Sequence, residues 1–298
     1  MYDSVLVPTD GSDHAARVAR HALGLARWFD ATVHVLSVVD VSATGGVFDA
    51  GGVSPAFVER LEDDAADAIE RIESMADDDR VRSAVLKGSP APTILEYAGD
   101  HDIDLIAMGT HGRTGVSRYV TGSVTERVVR QSDVPVMTAR VTDRSEWTGG
   151  YDEILLPTDG SEAAAAAIDH ALAIATRTDA RVHVVSVVDV TTVAGRPTIL
   201  APNDILAKFE SDAETAVETV AAAVRDAGLD VVTHVRKEIP SQGLLEYVDD
   251  HDIDLVAMGT HGRTGVDRVL LGSTTERFVR RAPVPVLAVG PDADGGSN

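Results

Sequence analysis

Short apolar runs and helical periods alternate along this chain. Ser4–Pro8 is apolar at strand length, and Gly11, Ser12 and Asp13 after it supply a helix start. Ala15, Val18, Ala19, Ala22, Leu23, Ala26 and Phe29 then recur at helical spacing. Thr32–Val39 predicts a second strand, residues 54–75 an amphipathic helix with acids on its outer face, and Val81–Lys87 a third strand. Pro90 or Pro92 opens a short helix through Tyr97. Residues 103–108 predict a fourth strand, 123–130 a helix and 134–139 a fifth strand. Strands without polar alternation belong in parallel sheets covered on both faces. Alternation of strand and helix makes the fold a doubly wound α/β sheet. Such sheets bind ligands beyond the carboxyl ends of their strands, where strand order reverses. The loops after the first, second and fourth strands are therefore where chemistry is expected.

The pattern occurs twice. Asp3-Ser-Val-Leu-Val-Pro-Thr-Asp-Gly-Ser12 returns as Asp152-Glu-Ile-Leu-Leu-Pro-Thr-Asp-Gly-Ser161, and His34-Val-Leu-Ser-Val-Val-Asp40 as His183-Val-Val-Ser-Val-Val-Asp189. Residues 101–137 match 251–287 at 26 of 37 positions, too long a unit for a solenoid repeat. The organisation expected is two complete domains, 1–140 and 152–290. A polar linker, 141–151, lies between them, and a Gly/Asp-rich disordered tail, 291–298, follows.

Composition narrows the function. The 298 residues hold 48 acids and 26 bases, a net charge of −22, and only three of the bases are lysine. Such a surface repels nucleic acid and anionic lipid. High Asp with low Lys points to a high-salt, halophilic cytoplasm, where a short Debye length screens self-repulsion. No run approaches a membrane span, the N-terminus carries no signal-peptide pattern, and a cytoplasmic location is expected. The absence of cysteine excludes disulfides, thiolate metal sites and cysteine nucleophiles.

The loop after the fourth strand carries the chemistry. It reads Met108-Gly109-Thr110-His111-Gly112-Arg113 and, further on, Gly122-Ser123-Val124-Thr125; Gly259, Gly262 and Gly272-Ser273 repeat the spacing. Glycines let a backbone approach an anion closely, and a run of N–H groups cradles phosphate. Gly122-Ser123 falls at a helix start, where orphan N–H groups and the helix dipole attract negative charge. Ser123 and Thr125 add hydroxyl donors and Arg113 a cation, so the loop fits a nucleotide polyphosphate. The alternative is that these glycines only build a tight strand–helix connection. The loop is neither a Walker A motif nor a Gly-x-Gly-x-x-Gly fingerprint.

Val-Pro-Thr-Asp-Gly-Ser, Met-Gly-Thr-His-Gly-Arg and Gly-Ser-x-Thr-Glu-Arg, each present twice, resemble the universal stress protein (UspA-domain) family in its ATP-binding subgroup. The resemblance implies an adenine nucleotide alpha hydrolase-like fold, with a five-stranded parallel sheet of order 3-2-1-4-5 in each half. It implies ATP, ADP or AMP as ligand, with a magnesium ion riding on the phosphates and no metal site of the protein's own. The adenine edge is then expected at Val38 and Val187. The ribose and base region would meet Pro8, Thr9 and Asp10, and Pro157, Thr158 and Asp159. The phosphates would meet Gly109, Thr110, His111, Gly112 and Arg113 with Gly122, Ser123, Val124 and Thr125. In the second half they would meet Gly259, Thr260, His261, Gly262 and Arg263 with Gly272, Ser273, Thr274 and Thr275. Met108 and Met258, just before these loops, are counted with the nucleotide-binding residues. The family also implies that the halves pair through their last strands as an intramolecular pseudo-dimer, with a further homodimer as an extension.

Other polar residues have structural alternatives. Asp10 and Asp159 either contact ligand or cap the following helix. His111 and His261 either bond phosphate or stand partly exposed in the loop. His34 and His183 are expected packed and neutral. His101-Asp102 and His251-Asp252 lie on a turn where adjacent side chains point apart. Two function classes follow: a regulatory or sensory module that holds ATP during stress, or a slow ATP hydrolase or adenylate-handling enzyme. Hydrolysis needs a base aimed at the terminal phosphate, and the loop offers none, so no catalytic residue is assigned. After the matching loops, Ser117 stands where the second half has Asp267, which either weakens the second site by repelling phosphate or points into solvent and leaves the sites equivalent.

Overall fold

The computed structural model describes residues 1–40, 55–76, 80–112, 122–191, 202–260 and 271–290. It contains two compact units, residues 1–147 and 148–298. The first comprises β1 (Ser4–Pro8), α1 (Asp13–Phe29), β2 (Thr32–Val39), α2 (Pro55–Glu73), β3 (Val81–Lys87), α3 (Pro90–Asp100), β4 (Leu105–Gly109), α4 (Ser123–Gln131) and β5 (Val136–Ala139). The second comprises β6 (Glu153–Pro157), α5 (Glu162–Thr178), β7 (Arg181–Asp189), α6 (Pro202–Asp226), β8 (Val231–Glu238), α7 (Pro240–Asp250), β9 (Leu255–Gly259), α8 (Ser273–Arg281) and β10 (Val286–Val289). Within the first unit the strands are ordered β3-β2-β1-β4-β5, and within the second β8-β7-β6-β9-β10. Every pair inside a unit is parallel. These are the two doubly wound sheets expected, each reversing direction beside its first strand.

The apolar runs are the sheet centres. Val5, Leu6, Val7, Leu105, Ile106 and Ala107 are fully buried, as are Leu155, Leu255, Val256 and Ala257. Helix α1 is buried almost all round, with every residue from His21 to Ala26 buried, whereas α2 buries one stripe. In α2 the buried positions are Ala65, Ala68, Ile69 and Ile72, the spacing of one helical face. Helices α1 and α5 end at Asp30 and Asp179, both in the left-handed conformation, which aspartate tolerates better than most residues. The outer strand β3 is largely exposed, including Val85 and Leu86, as an edge with one neighbour must be.

Two strand starts are later than the periodicity predicts. Ile103 ends the preceding helix instead of opening β4, because its N–H bonds Ala98 O at 3.0 Å past the left-handed Asp102. Before β5, Ser132 Oγ donates to Val134 O at 2.7 Å and accepts from Val134 N at 3.2 Å. That closes a local turn and delays the strand to Val136.

The stretch read as a linker is in part a strap on the first unit. Residues Asp143–Ser145 form a 3-10 turn with a capping box from Thr142. Ser145 is fully buried, and its Oγ donates to Arg140 O. His21 Nε2 donates to Ser145 O at 2.9 Å, which fixes the tautomer because a carbonyl oxygen only accepts. Arg17 pairs with Glu146 at 3.1 Å, and the Trp147 ring lies 5.3 Å from His21 and 5.1 Å from Trp28. Polarity predicts a solvated connector here, but the aromatic ring and the helix-facing carbonyl hold residues 141–147 on α1. The tail 291–298 lies outside the described residues. No described helix is long and apolar enough to cross a membrane.

Candidate functional site

The site is built where β1, β2 and β4 end, and equally β6, β7 and β9. After β1, Gly11 takes φ 78°, and after β6 Gly160 takes φ 76°, a conformation open to glycine. The turn is tightened from both sides. Thr9 Oγ1 accepts from Gly11 N at 3.1 Å, and Asp10 Oδ1 from Ser12 N at 3.0 Å. Thr158 and Asp159 do the same for Gly160 and Ser161. Thr9 and Thr158 are buried beneath the loop. Ser12 and Ser161 are the helix caps, accepting from Ala15 N and Ala164 N at 3.2 Å. Asp10 and Asp159 are therefore not the caps; they brace the turn that precedes them.

The loop after β4 divides its glycines by role. A Cβ on Gly109 would fall 2.7 Å from Ala15 N, and one on Gly259 would fall 2.1 Å from Ala163 O. Both glycines exist so that the strand end can pass under the first turn of α1 or α5. A Cβ on Gly122 would stand 3.4 Å from Thr110 O, close to ordinary contact, so packing alone does not demand glycine there. Gly122 N bonds Thr110 O at 2.7 Å, and Gly272 N bonds Thr260 O at 2.8 Å, closing each loop at its base. A Cβ on Gly112 would lie 2.5 Å from Asp10 Oδ2, so the loops after β1 and β4 touch there. Ser12 Oγ donates to His111 O at 3.4 Å across the same seam.

The hydroxyls of the loop divide. Thr125 Oγ1 donates to Gly109 O and Thr275 Oγ1 to Gly259 O, each at 2.7 Å. Both side chains are buried and hold the strand end. Ser123 and Ser273 are exposed at the helix start. Helices α4 and α8 begin at Gly122 and Gly272 without a side-chain cap, in contrast to the self-capped α1 and α5. Among the described residues no side chain caps their first turns, and such helix starts attract anions. Thr110 is buried, with Oγ1 3.0 Å from His111 Nδ1. The His111 ring lies 5.0 Å from that of His14, whose pKa burial and the neighbouring His111 hold below the usual imidazole value.

In the second unit these elements enclose a cavity of about 600 Å³, within the range of small-molecule sites. Pro157, Thr158, Asp159, Val187, Met258, Gly259, Gly272, Ser273, Thr274 and Thr275 all line it. Ten sequence-predicted residues thus converge on one space. Val187, like Val38 in the first unit, is half-buried between fully buried strand neighbours, so the strand opens at that residue. The lining also includes Val185, Ser186, Val188, Asp189, Ala164, Phe209, Ala213, Pro240 and Leu244, which the motifs do not name. The repeated strand ending in Asp40 and Asp189 was a signal for part of this wall. Phe209 and Ala213 come from α6, whose packing over the strand ends no short motif records. The lining is mixed: it includes the apolar side chains Val187, Phe209, Pro240 and Leu244 and also the start of α8, which has no side-chain cap.

The conspicuous histidines lie elsewhere. His34 Nδ1 is 3.0 Å from Tyr97 Oη, and His183 Nδ1 is 2.8 Å from Tyr247 Oη. Both are buried, and burial lowers both pKa values; His183 Nε2 also stands 2.6 Å from Glu153 Oε2, whose charge opposes the shift. His101 and His251 stack on the same tyrosines at 3.8 Å. Among the described residues no three His, Asp or Glu side chains are grouped to hold a metal. Arg113, His261, Gly262, Arg263, Ser117 and Asp267 lie outside the described residues.

Comparison with known proteins agrees with the doubled pattern. The model of the universal stress protein family matches residues 1–140 and again 150–290. A universal stress protein of Methanocaldococcus jannaschii is 37% identical over 142 residues, which are 47% of this chain and 83% of that protein. One from Mycolicibacterium smegmatis aligns over 303 residues at 28% identity, covering 96% of this chain and 97% of its own. Among solved structures, a universal stress protein from Archaeoglobus fulgidus superposes with a TM-score of 0.71 at 23% identity, over 98% of this chain and 97% of that one. That last likeness is one of fold.

Proposed function

Because the chain belongs to the universal stress protein family and carries two of its domains, we propose that each repeat holds one adenine nucleotide, ATP foremost, as a regulatory or sensory ligand. The observation that carries this is the cavity of the second repeat, whose lining brings the motif residues together. Its apolar side chains, Val187, Phe209, Pro240 and Leu244, suit a flat base. Asp159, beside the strand end Pro157–Thr158, would accept from ribose hydroxyls. The N-terminus of α8 at Gly272 and Ser273, also in the lining and without a side-chain cap, would suit phosphate. The first repeat repeats these residues at Pro8–Asp10, Val38 and Gly122–Ser123. A magnesium ion would be carried by the phosphates. We place the protein in the cytoplasm of a high-salt cell on its charge alone.

Mass spectrometry of small molecules released from the purified, denatured protein tests the proposal, together with calorimetric titration of ATP. An adenine nucleotide near two per chain supports it. A protein that neither carries nor binds any adenine nucleotide overturns it.

A further inference from the structure

The wall that α6 gives the cavity has a counterpart of different size in the first repeat. Helix α2 buries Ala65, Ala68, Ile69 and Ile72, and α6 buries Val217, Val220, Ala221 and Val224 at the same spacing. The two stripes therefore align residue by residue. One turn before the stripe, α2 has Leu61 where α6 has Ala213. One turn earlier again, Phe57 corresponds to Phe209, so the matching rings fix the same register independently.

Phe209 and Ala213 both line the cavity, and β7 adds Val185, Val187 and Val188 to the same lining. Ala213 is buried and offers the cavity no more than a methyl group. Leu61 is half-buried and brings three more carbon atoms to the equivalent place on α2. Neither side chain has a polar atom, so the exchange changes the room beside the helix and leaves its charge and hydrogen bonding as they were. Protein interiors are close-packed, and a surplus of even one methylene in an apolar pocket lowers affinity about tenfold or more.

We infer that Ala213 and Leu61 are specificity-determining residues that set how large an apolar group each repeat accepts. The second repeat takes an adenine nucleotide enlarged by an apolar group on its base, and the first excludes it. The inference rests on the nucleotide reading above and sharpens it into a difference of ligand between the sites.

The test is calorimetric titration of the full chain with ATP and with two analogues. One carries a benzyl group on the exocyclic amino group of adenine, the other a phenyl group on the carbon of its five-membered ring, so both ends of the purine are probed. Wild type is expected to bind ATP at two sites and at least one analogue at a single site, with the affinity of the other site for that analogue lowered about tenfold or more. Ala213→Leu is expected to lower the analogue-to-ATP affinity ratio at the accepting site by a similar factor. Because enlarging a buried residue can disturb folding, the reverse change is made as well: Leu61→Ala is expected to raise the ratio at the excluding site. Equal affinity of the two wild-type sites for each analogue, or ratios that neither variant moves, overturns the inference and leaves the nucleotide reading intact. Failure of wild type to bind ATP overturns both.

Discussion

Trp147 fills the notch that Gly24 leaves in α1: a Cβ on Gly24 would fall 2.1 Å from Trp147 Cζ2. The second repeat has Ala173 at the matching position of α5, so the notch belongs to the first repeat. Gly24→Ala should therefore destabilise the protein, although alanine is the better helix former by about 1 kcal/mol. Displacing an indole ring costs about 1–3 kcal/mol by overpacking, which outweighs the propensity gain. Denaturant unfolding followed by tryptophan emission checks this, with a red shift in the native protein as Trp147 meets water. A stabilised variant with native emission would show that the ring does not occupy the notch.

His21 makes the strap sensitive to acid. Burial pushes its imidazole down to about 4, and the bond to Ser145 O only partly opposes this. Its native pKa lies below the unfolded value near 6.5, so the unfolded chain binds the proton first as pH falls. The stability it contributes is whole above about pH 6.5 and is lost progressively toward pH 4, by about 3 kcal/mol at most. His21→Gln keeps a donor for Ser145 O without titrating. The wild type should lose more stability than this variant between pH 6.5 and 4; parallel curves would contradict the assignment.

The glycines of the loop after β4, and of its copy after β9, separate into two kinds on substitution. Gly109→Ala and Gly259→Ala each drive a methyl group into helix backbone, and each should cost about 2–3 kcal/mol without any ligand present. Gly122→Ala meets only Thr110 O at 3.4 Å and should cost about 1 kcal/mol or less. The stabilisation by ATP, about 2.7 kcal/mol at 100 times the dissociation constant, should nevertheless shrink in a Gly122→Ala, Gly272→Ala double variant. Thermal melts with and without ATP distinguish the two classes. Equal apo losses at Gly109 and Gly122 would refute the division.

A net charge of −22 should make folding depend on salt. At 0.01 M the Debye length is ~30 Å and the acids repel across a whole unit; at 1 M it is ~3 Å. Melting temperature should rise steadily from dilute buffer to molar potassium chloride. A flat profile would exclude salt adaptation as the reason for the composition.

Much of the fold was legible because the two governing periods are strong. Val5–Val7 and Leu105–Ala107 announce buried parallel strands, and the stripe from Ala15 to Phe29 announces a covering helix. The cavity wall at Pro157–Asp159 and Gly272–Thr275 was legible from motifs that occur twice, and Val187 came from the family resemblance alone. What escaped depends on distance in the chain. Nothing local to Thr125 says that its hydroxyl is engaged 16 residues back by Gly109 O. Nothing local to Phe209 places it over strand ends far along the sequence. Residues 141–147 look solvated because their anchoring partners, His21 and Gly24, sit on a helix more than 100 residues earlier.

The strap also decides where this gene could be cut. Exchanging the order of two similar repeats looks harmless, since each has its own core. A permuted chain that began at Thr148 and ended at Trp147 would keep the strap with the helix that receives it. One that began at Val141 would sever the strap from Arg140, so the same seven residues would reach α1 only as a free chain end ahead of the second repeat. Cut points a few residues apart would then differ in whether Trp147 is delivered to its notch by the chain that precedes it.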